Sequence, residues 1–145
     1  MTPGPGSVVD AMLTIPSTCP PATTACAARA LLLDDHVHAL LVTSGRRLLA
    51  VVERPDLDGV PDEVPARRIG GLAGRVVAAD ADLAEVWARM RAEGRRRLAV
   101  VDDAGDLLGL LCLKRSGQGF CTTEGVLARA HLRRTQPADV WATRV

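Results

Sequence analysis

The sequence predicts an α/β protein in which one strand, helix and hairpin unit occurs twice. Three observations carry this expectation. Ala50 aligns with Gly109, 59 residues on (109 less 50), and the halves keep register without a gap from about Ala22 to Asp56. Each half places a helical periodicity ahead of two short apolar runs, and each pair of runs is parted by a cluster of Ser, Gly and Asp. A chain of 145 residues suits one ordinary domain, or two very small ones that share a core.

The units open on the extended pieces PSTCP and GRVVAAD. In the first, TTACAARALLLDD reads as a helix capped by Thr23 or Thr24. In the second, Leu83, Val86, Trp87 and Met90 recur at helical spacing, Asp82 is placed to cap with Glu85 three residues on, and Gly94 can end the helix. The strands that follow are HALLV and LLAVV in the first unit, RLAVV and LLGLL in the second. Between them TSGRR and DDAGD favour tight reversals. The strands are apolar at successive positions instead of alternating, which predicts a sheet covered on both faces. A single unit of about 55 residues would leave most of its apolar face in water, so two packed together bury a better core. The expected boundaries are 1–7 as a flexible N-terminus, 8–60 as the first unit, 61–68 as the linker PDEVPARR, 69–130 as the second unit and 131–145 as a polar tail that docks in part through Trp141.

Composition narrows the class further. The chain is 48% apolar and only 2% aromatic, so its core is made of Leu, Val and Ala. A net charge of +1 argues against binding nucleic acid or an anionic membrane by general electrostatic attraction. The N-terminus lacks the features of a signal peptide and no apolar run reaches the ~18 residues needed to span a bilayer, so a cytoplasmic location is expected. The four cysteines, Cys19, Cys26, Cys112 and Cys121, form no CxxC pair, and reduced thiols are the expectation. No Ser-His-Asp, HExxH or phosphate-loop pattern is present, which points away from an enzyme.

Taken together, VVDAML, the offset of 59, HVHALLVTSGRRLLAVVERPDL, RRIGGLAGRVV and RRRLAVVDDAGDLLGLL resemble a tandem pair of cystathionine β-synthase (CBS) domains, a Bateman module, from about Val8 to Ala130. The resemblance implies two strand-helix-hairpin-helix repeats packed with pseudo-two-fold symmetry. It implies a regulatory module, not an enzyme, that binds adenosine-containing ligands such as AMP, ADP, ATP, NAD or S-adenosylmethionine between the repeats. It also implies a homodimer and, beyond it, a regulated protein partner. The alternative is a degenerate pair that serves as a dimerisation or docking scaffold.

In the family pattern the second hairpin strand runs glycine, two apolar residues, Ser or Thr, two variable residues, Asp, with the Asp accepting from ribose hydroxyls. Carried over, the first repeat keeps Asp56 but has Glu53 at the hydroxyl position. A carboxylate about 4 Å from a phosphate costs on the order of a few kcal/mol at an effective dielectric near 20, unless Arg54 or His38 offsets it. The second repeat keeps Gly109 but has Cys112 and Arg115 at the other two positions. Arginine only donates, so ribose recognition is not expected there, whereas Arg115, Lys114 and Arg97 could converge on an anion. Gly70 and Gly71 match the part of the pattern that lets a base lie against backbone. The predicted ligand-binding residues are therefore Asp56, His38, Arg54, Gly71, Arg97 and Arg115.

Plainer readings stand beside these. Asp56 is also placed to cap the short helix that follows, and Arg115 to end a strand in solvent. His36 and His38 share a spacing that could hold a metal but lack a third ligand nearby. Cys112 and Cys121 could form a redox pair if RSGQGFC folds back; otherwise Cys112 is a small hydrophobe. Arg95 to Arg97, with Arg133 and Arg134, solvate or line a cleft rim more readily than they contact nucleic acid.

Overall fold

The computed structural model describes residues 6–121 apart from Ile15, Ser17, His36, Arg115 and Gln118. Its elements are α1 (Val8–Ala11), β1 (Thr18–Cys19), α2 (Ala25–Leu31), β2 (Leu40–Ser44), β3 (Arg47–Val52), β4 (Val76–Ala78), α3 (Leu83–Glu93), β5 (Arg97–Val101) and β6 (Leu107–Cys112). The two predicted units are both present. Each forms a three-stranded sheet, β1-β2-β3 or β4-β5-β6, with its first pair parallel and its second antiparallel. A parallel pair needs a crossover and an antiparallel pair only a turn, so each helix falls between the first two strands and each glycine-containing cluster, TSGRR or DDAGD, between the last two.

Local chemistry sets the helix ends. Thr24 Oγ1 accepts from the Ala27 N–H at 3.2 Å, while Thr23 is buried and its carbonyl accepts from Ala66 N–H at 2.8 Å. Of the two candidate caps, Thr24 is therefore the one used. Asp82 accepts from Glu85 N–H at 3.0 Å, and Gly94, at φ 66°, ends α3 in a left-handed conformation.

The repeat register contains one step the sequence comparison passes over. Thr18 and Val76 hold equivalent pairings 58 residues apart (76 less 18), whereas Val51 and Leu110 are 59 apart (110 less 51). The ungapped offset of 59 is thus corrected to 58 ahead of the hairpin turns. The extra residue sits in the second turn, where Asp102 Oδ1 accepts from both Ala104 N–H and Asp106 N–H at 2.9 Å.

Among the described residues, three apolar clusters hold the two units together. One lies between α2 and the first sheet, around Ala28, Leu40, Val42 and Val52. Another lies between α3 and the second sheet, around Val86, Met90, Leu98 and Leu111. The third, with Leu41, Leu48, Val51 and Ala99 buried, joins the two sheets and is the shared core.

The segments that lead into each unit pack on the other one. Ser7 and Asp10 cap α1, and Val8, fully buried, belongs to the cluster under α3. Leu13 then exchanges two backbone hydrogen bonds with Leu110 on β6, at 2.7 and 2.9 Å. In the mirrored arrangement Ala66 enters the cluster under α2, and Gly71 exchanges two hydrogen bonds with Val51 on β3, at 3.1 and 3.2 Å. Segment 61–68, expected as a linker, is consequently packed, with Val64 and Asp62 carbonyls accepting from Ala25 and Cys26 N–H groups.

Each crossing needs one missing side chain. A Cβ on Gly70 would stand 2.0 Å from the Val51 carbonyl oxygen, and one on Gly109 would stand 2.3 Å from that of Leu13. After β3 the first unit closes with a one-turn 3-10 segment, Arg54–Leu57, and Pro61, which has no N–H to donate, keeps it from lengthening; a second one-turn segment, Ala66–Arg68, belongs to the chain that leads into the second unit. The helix expected to close the second unit, and the tail, fall outside the described residues.

Candidate functional site

At Val52 the chain leaves the β3 ladder, since Pro55 fixes φ and lacks an N–H. In the turn that follows, Asp56 folds back and its Oδ2 accepts from the Glu53 N–H at 2.7 Å. Asp56 is therefore not the cap of a helix that follows it: it sits inside the one-turn 3-10 segment Arg54–Leu57 and binds back to the residue that precedes that segment, Glu53. The same carboxylate also meets a residue that the sequence reading passed over. Arg75, just ahead of β4, grips Asp56 in a bidentate pair, Nη1 to Oδ2 at 2.6 Å and Nη2 to Oδ1 at 2.9 Å, and Nη1 donates as well to the Val51 carbonyl at 2.8 Å.

Glu53 extends the pair into a cluster of four charges. Its Oε1 lies 3.6 Å from Arg75 Nε and 3.3 Å from Arg95 Nη1. The Asp56 and Arg75 side chains are only 16% and 19% exposed, so their attraction is poorly screened. Hydrogen bonding from Arg75 holds the Asp56 carboxyl below the ordinary aspartate range, against the opposing effect of burial. The same bond raises the Arg75 guanidinium. Glu53, expected to repel a phosphate, is thus paired with Arg75 and Arg95, whereas the Arg54 guanidinium is committed to backbone carbonyls.

The other predicted residues separate into those near Asp56 and those used elsewhere. Gly71 pairs with Val51, its N–H donating to the same carbonyl that Arg75 holds, and no atom lies within 4 Å of where its Cβ would stand. Its backbone therefore faces open space. Arg54 is turned away, with Nη2 donating to the carbonyls of Leu32, Asp34 and Val37 at 2.6, 3.1 and 2.7 Å, which fastens the chain after α2 to the end of β3. His38 is half-buried in the same stretch. Arg97 opens β5 opposite Cys112; burial lowers its pKa, and both Cys112 and Cys121 lie within its field. Arg115 and His36 lie outside the described residues, and among those described no group of three or more His, Cys, Asp or Glu could hold a metal.

Arg75 had one faint mark in the sequence, a lone charge between Gly74 and an otherwise apolar strand. Nothing local connects it with Asp56, 19 residues earlier (75 less 56). The contact exists only because the leading segment of the second unit crosses β3.

Two sheets joined back to back, each with its helix outside and each receiving the other's leading segment, define the fold of a CBS-domain pair. Residues 75–115 match the CBS domain family, and the fold over most of the chain resembles that of a tandem pair of such domains. A comparison with curated protein sequences gives no match.

Among solved structures, the chain resembles CBSX2 in complex with AMP, with 23% identity and a TM-score of 0.63 over 90% of this chain and 99% of that one. It also resembles a CBS-domain protein from Pyrobaculum aerophilum complexed with AMP, with 19% identity and a TM-score of 0.60 over 86% and 98% of the two chains. A third similar structure is the cytosolic domain of the Mg2+ channel MgtE in complex with ATP, with 20% identity and a TM-score of 0.61 over 86% of this chain. The chain spans about half of that domain, 48%. Among the described residues no helix is long and apolar enough to cross a membrane.

Proposed function

We propose that the protein is a non-enzymatic regulatory module that binds a small adenosine-containing ligand between its two repeats, beside Asp56 and Gly71. The observation that carries this reading is the placement of a carboxylate at the end of β3 next to a stretch of backbone facing open space. Solved structures of similar fold hold AMP or ATP, which supports the ligand class. Ribose hydroxyls donate to Asp56 in place of Arg75, and the released guanidinium, with Arg95, is then available to a phosphate. Occupancy is passed on through a homodimer or a regulated partner protein.

Calorimetric titration of the chain with AMP, ADP, ATP, NAD and S-adenosylmethionine tests the reading. Binding of at least one, weakened about tenfold or more by Asp56→Ala, is the expected result, since charge-assisted hydrogen bonds contribute roughly 1.5–3 kcal/mol. Silence for all five with folded protein would overturn it.

A second reading is favoured by the bidentate Asp56–Arg75 pair, which already satisfies the carboxylate. On this reading the module is a dimerisation or docking scaffold whose cleft is closed by its own side chains. Arg75→Ala discriminates between the two, because it removes the competitor for Asp56. Ligand binding that appears or tightens in that variant supports a nucleoside site, and continued silence supports the scaffold.

A further inference from the structure

Two thiols outside this site are brought together by the way the second unit ends. After β6 the chain reverses, with Gly117 N–H donating to the Lys114 carbonyl and Lys114 N–H to the Gly119 carbonyl, both at 2.8 Å. It then returns antiparallel, so that Leu113 bridges Phe120 and Cys121 N–H donates to the Cys112 carbonyl at 2.7 Å. The reversal is held from outside by Trp87, whose Nε1 donates to the Gly117 carbonyl at 2.8 Å while Arg91 sits 5.0 Å above its ring. In this register the Cys112 and Cys121 sulfurs are 3.2 Å apart. A disulfide spans about 2.05 Å, so small side-chain rotations suffice to close it. Cys19 is buried in the core under α2 and Cys26 is exposed on α2, so neither competes.

We infer that Cys112 and Cys121 are a reversible dithiol–disulfide site that responds to low-molecular-weight disulfides such as oxidised glutathione. Cys121 is the more exposed of the two, and its thiolate attacks one sulfur of the small disulfide, whose S–S bond breaks to release one thiol. Cys112 then gives up its proton and attacks Cys121 Sγ, expelling the second thiol. The two cysteines lose two electrons and two protons in all, and the small disulfide is reduced to two thiols. Burial, reinforced by its contact with Cys121, pushes the Cys112 thiol up to about 11, which assigns the first attack to Cys121; Arg97 and Arg96 favour the Cys112 thiolate as it forms. Because Cys112 holds in the second repeat the position that Glu53 holds in the first, closing the bond fixes the hairpin beside Arg97.

The test uses the full chain, treated with oxidised glutathione, quenched in acid, and alkylated after denaturation. Cys112 and Cys121 fall on separate tryptic peptides, 98–114 and 116–129, so a bond between them is read directly as a cross-linked pair. The expected result is a fall from four alkylated thiols to two, the 98–114/116–129 pair without retained glutathione, and full reversal by dithiothreitol. Cys112→Ala should instead stop at a mixed glutathione disulfide on Cys121. Cys112 still fully alkylated in the wild-type chain, a persistent wild-type glutathione adduct on Cys121, or pairing with Cys19 or Cys26 would overturn the assignment. The decisive reading is made on the wild-type protein and does not depend on how either variant folds.

Discussion

At the scale of single residues, the exchange of partners at Asp56 controls both stability and recognition. Replacing Arg75 with Gln removes the positive charge and the bidentate grip from a largely shielded carboxylate. The expected cost is about 1–3 kcal/mol at neutral pH, measured by urea denaturation. The folded pKa of Asp56 lies below its unfolded value of about 3.9, so the contribution of the pair is present above that pH and is lost as the pH falls through the lower folded value. The gap between parent and Arg75→Gln should therefore narrow below about pH 3.9; an equal gap at neutral and strongly acidic pH would show that the ion pair is not its source. Asp56 itself was legible in the sequence because it sits at a fixed place after an apolar strand. Arg75 was not, because its role depends on a crossing between distant segments.

At the scale of elements, the two leading segments lie flat against β3 and β6 only where side chains are missing. Gly70→Ala forces a methyl group to 2.0 Å from the Val51 carbonyl, which cannot move without breaking the Gly71–Val51 pairing. A loss of more than about 3 kcal/mol is expected, read from the thermal or urea midpoint. Gly71→Ala, one position on, meets no atom within 4 Å and should change stability by less than about 1 kcal/mol. If a ligand lies against this backbone, the same variant weakens its binding, so the two substitutions separate architecture from recognition. The hairpins and both helices were readable because turn chemistry and the 3.6-residue period act locally. The closing 3-10 turn of the first unit and the one-residue step in the second hairpin were not, because a proline and an Asp102-centred turn altered lengths that the repeat alone leaves open.

At the scale of the whole molecule, the residues that a linear reading assigns to one unit are divided between two cores. Val8, placed at the start of the first unit by sequence, is completely buried under α3 in the second. Val8→Ala should cost about 2 kcal/mol and accelerate amide exchange first in α3 and β6, while α2 and β2 keep their protection; faster exchange starting in the first unit would refute this assignment. The sequence placed Val8 only at the start of the first unit and could not show which core it enters, since that follows from chain crossing and not from periodicity. The crossed arrangement also determines what a break in the chain would do. Cut at Gly59, the molecule yields two fragments that each carry a missing piece of the other, α1 on the first and Ala66 on the second. Neither half can complete its core alone, so the pair behaves as a split protein that regains its fold by complementation when the halves meet.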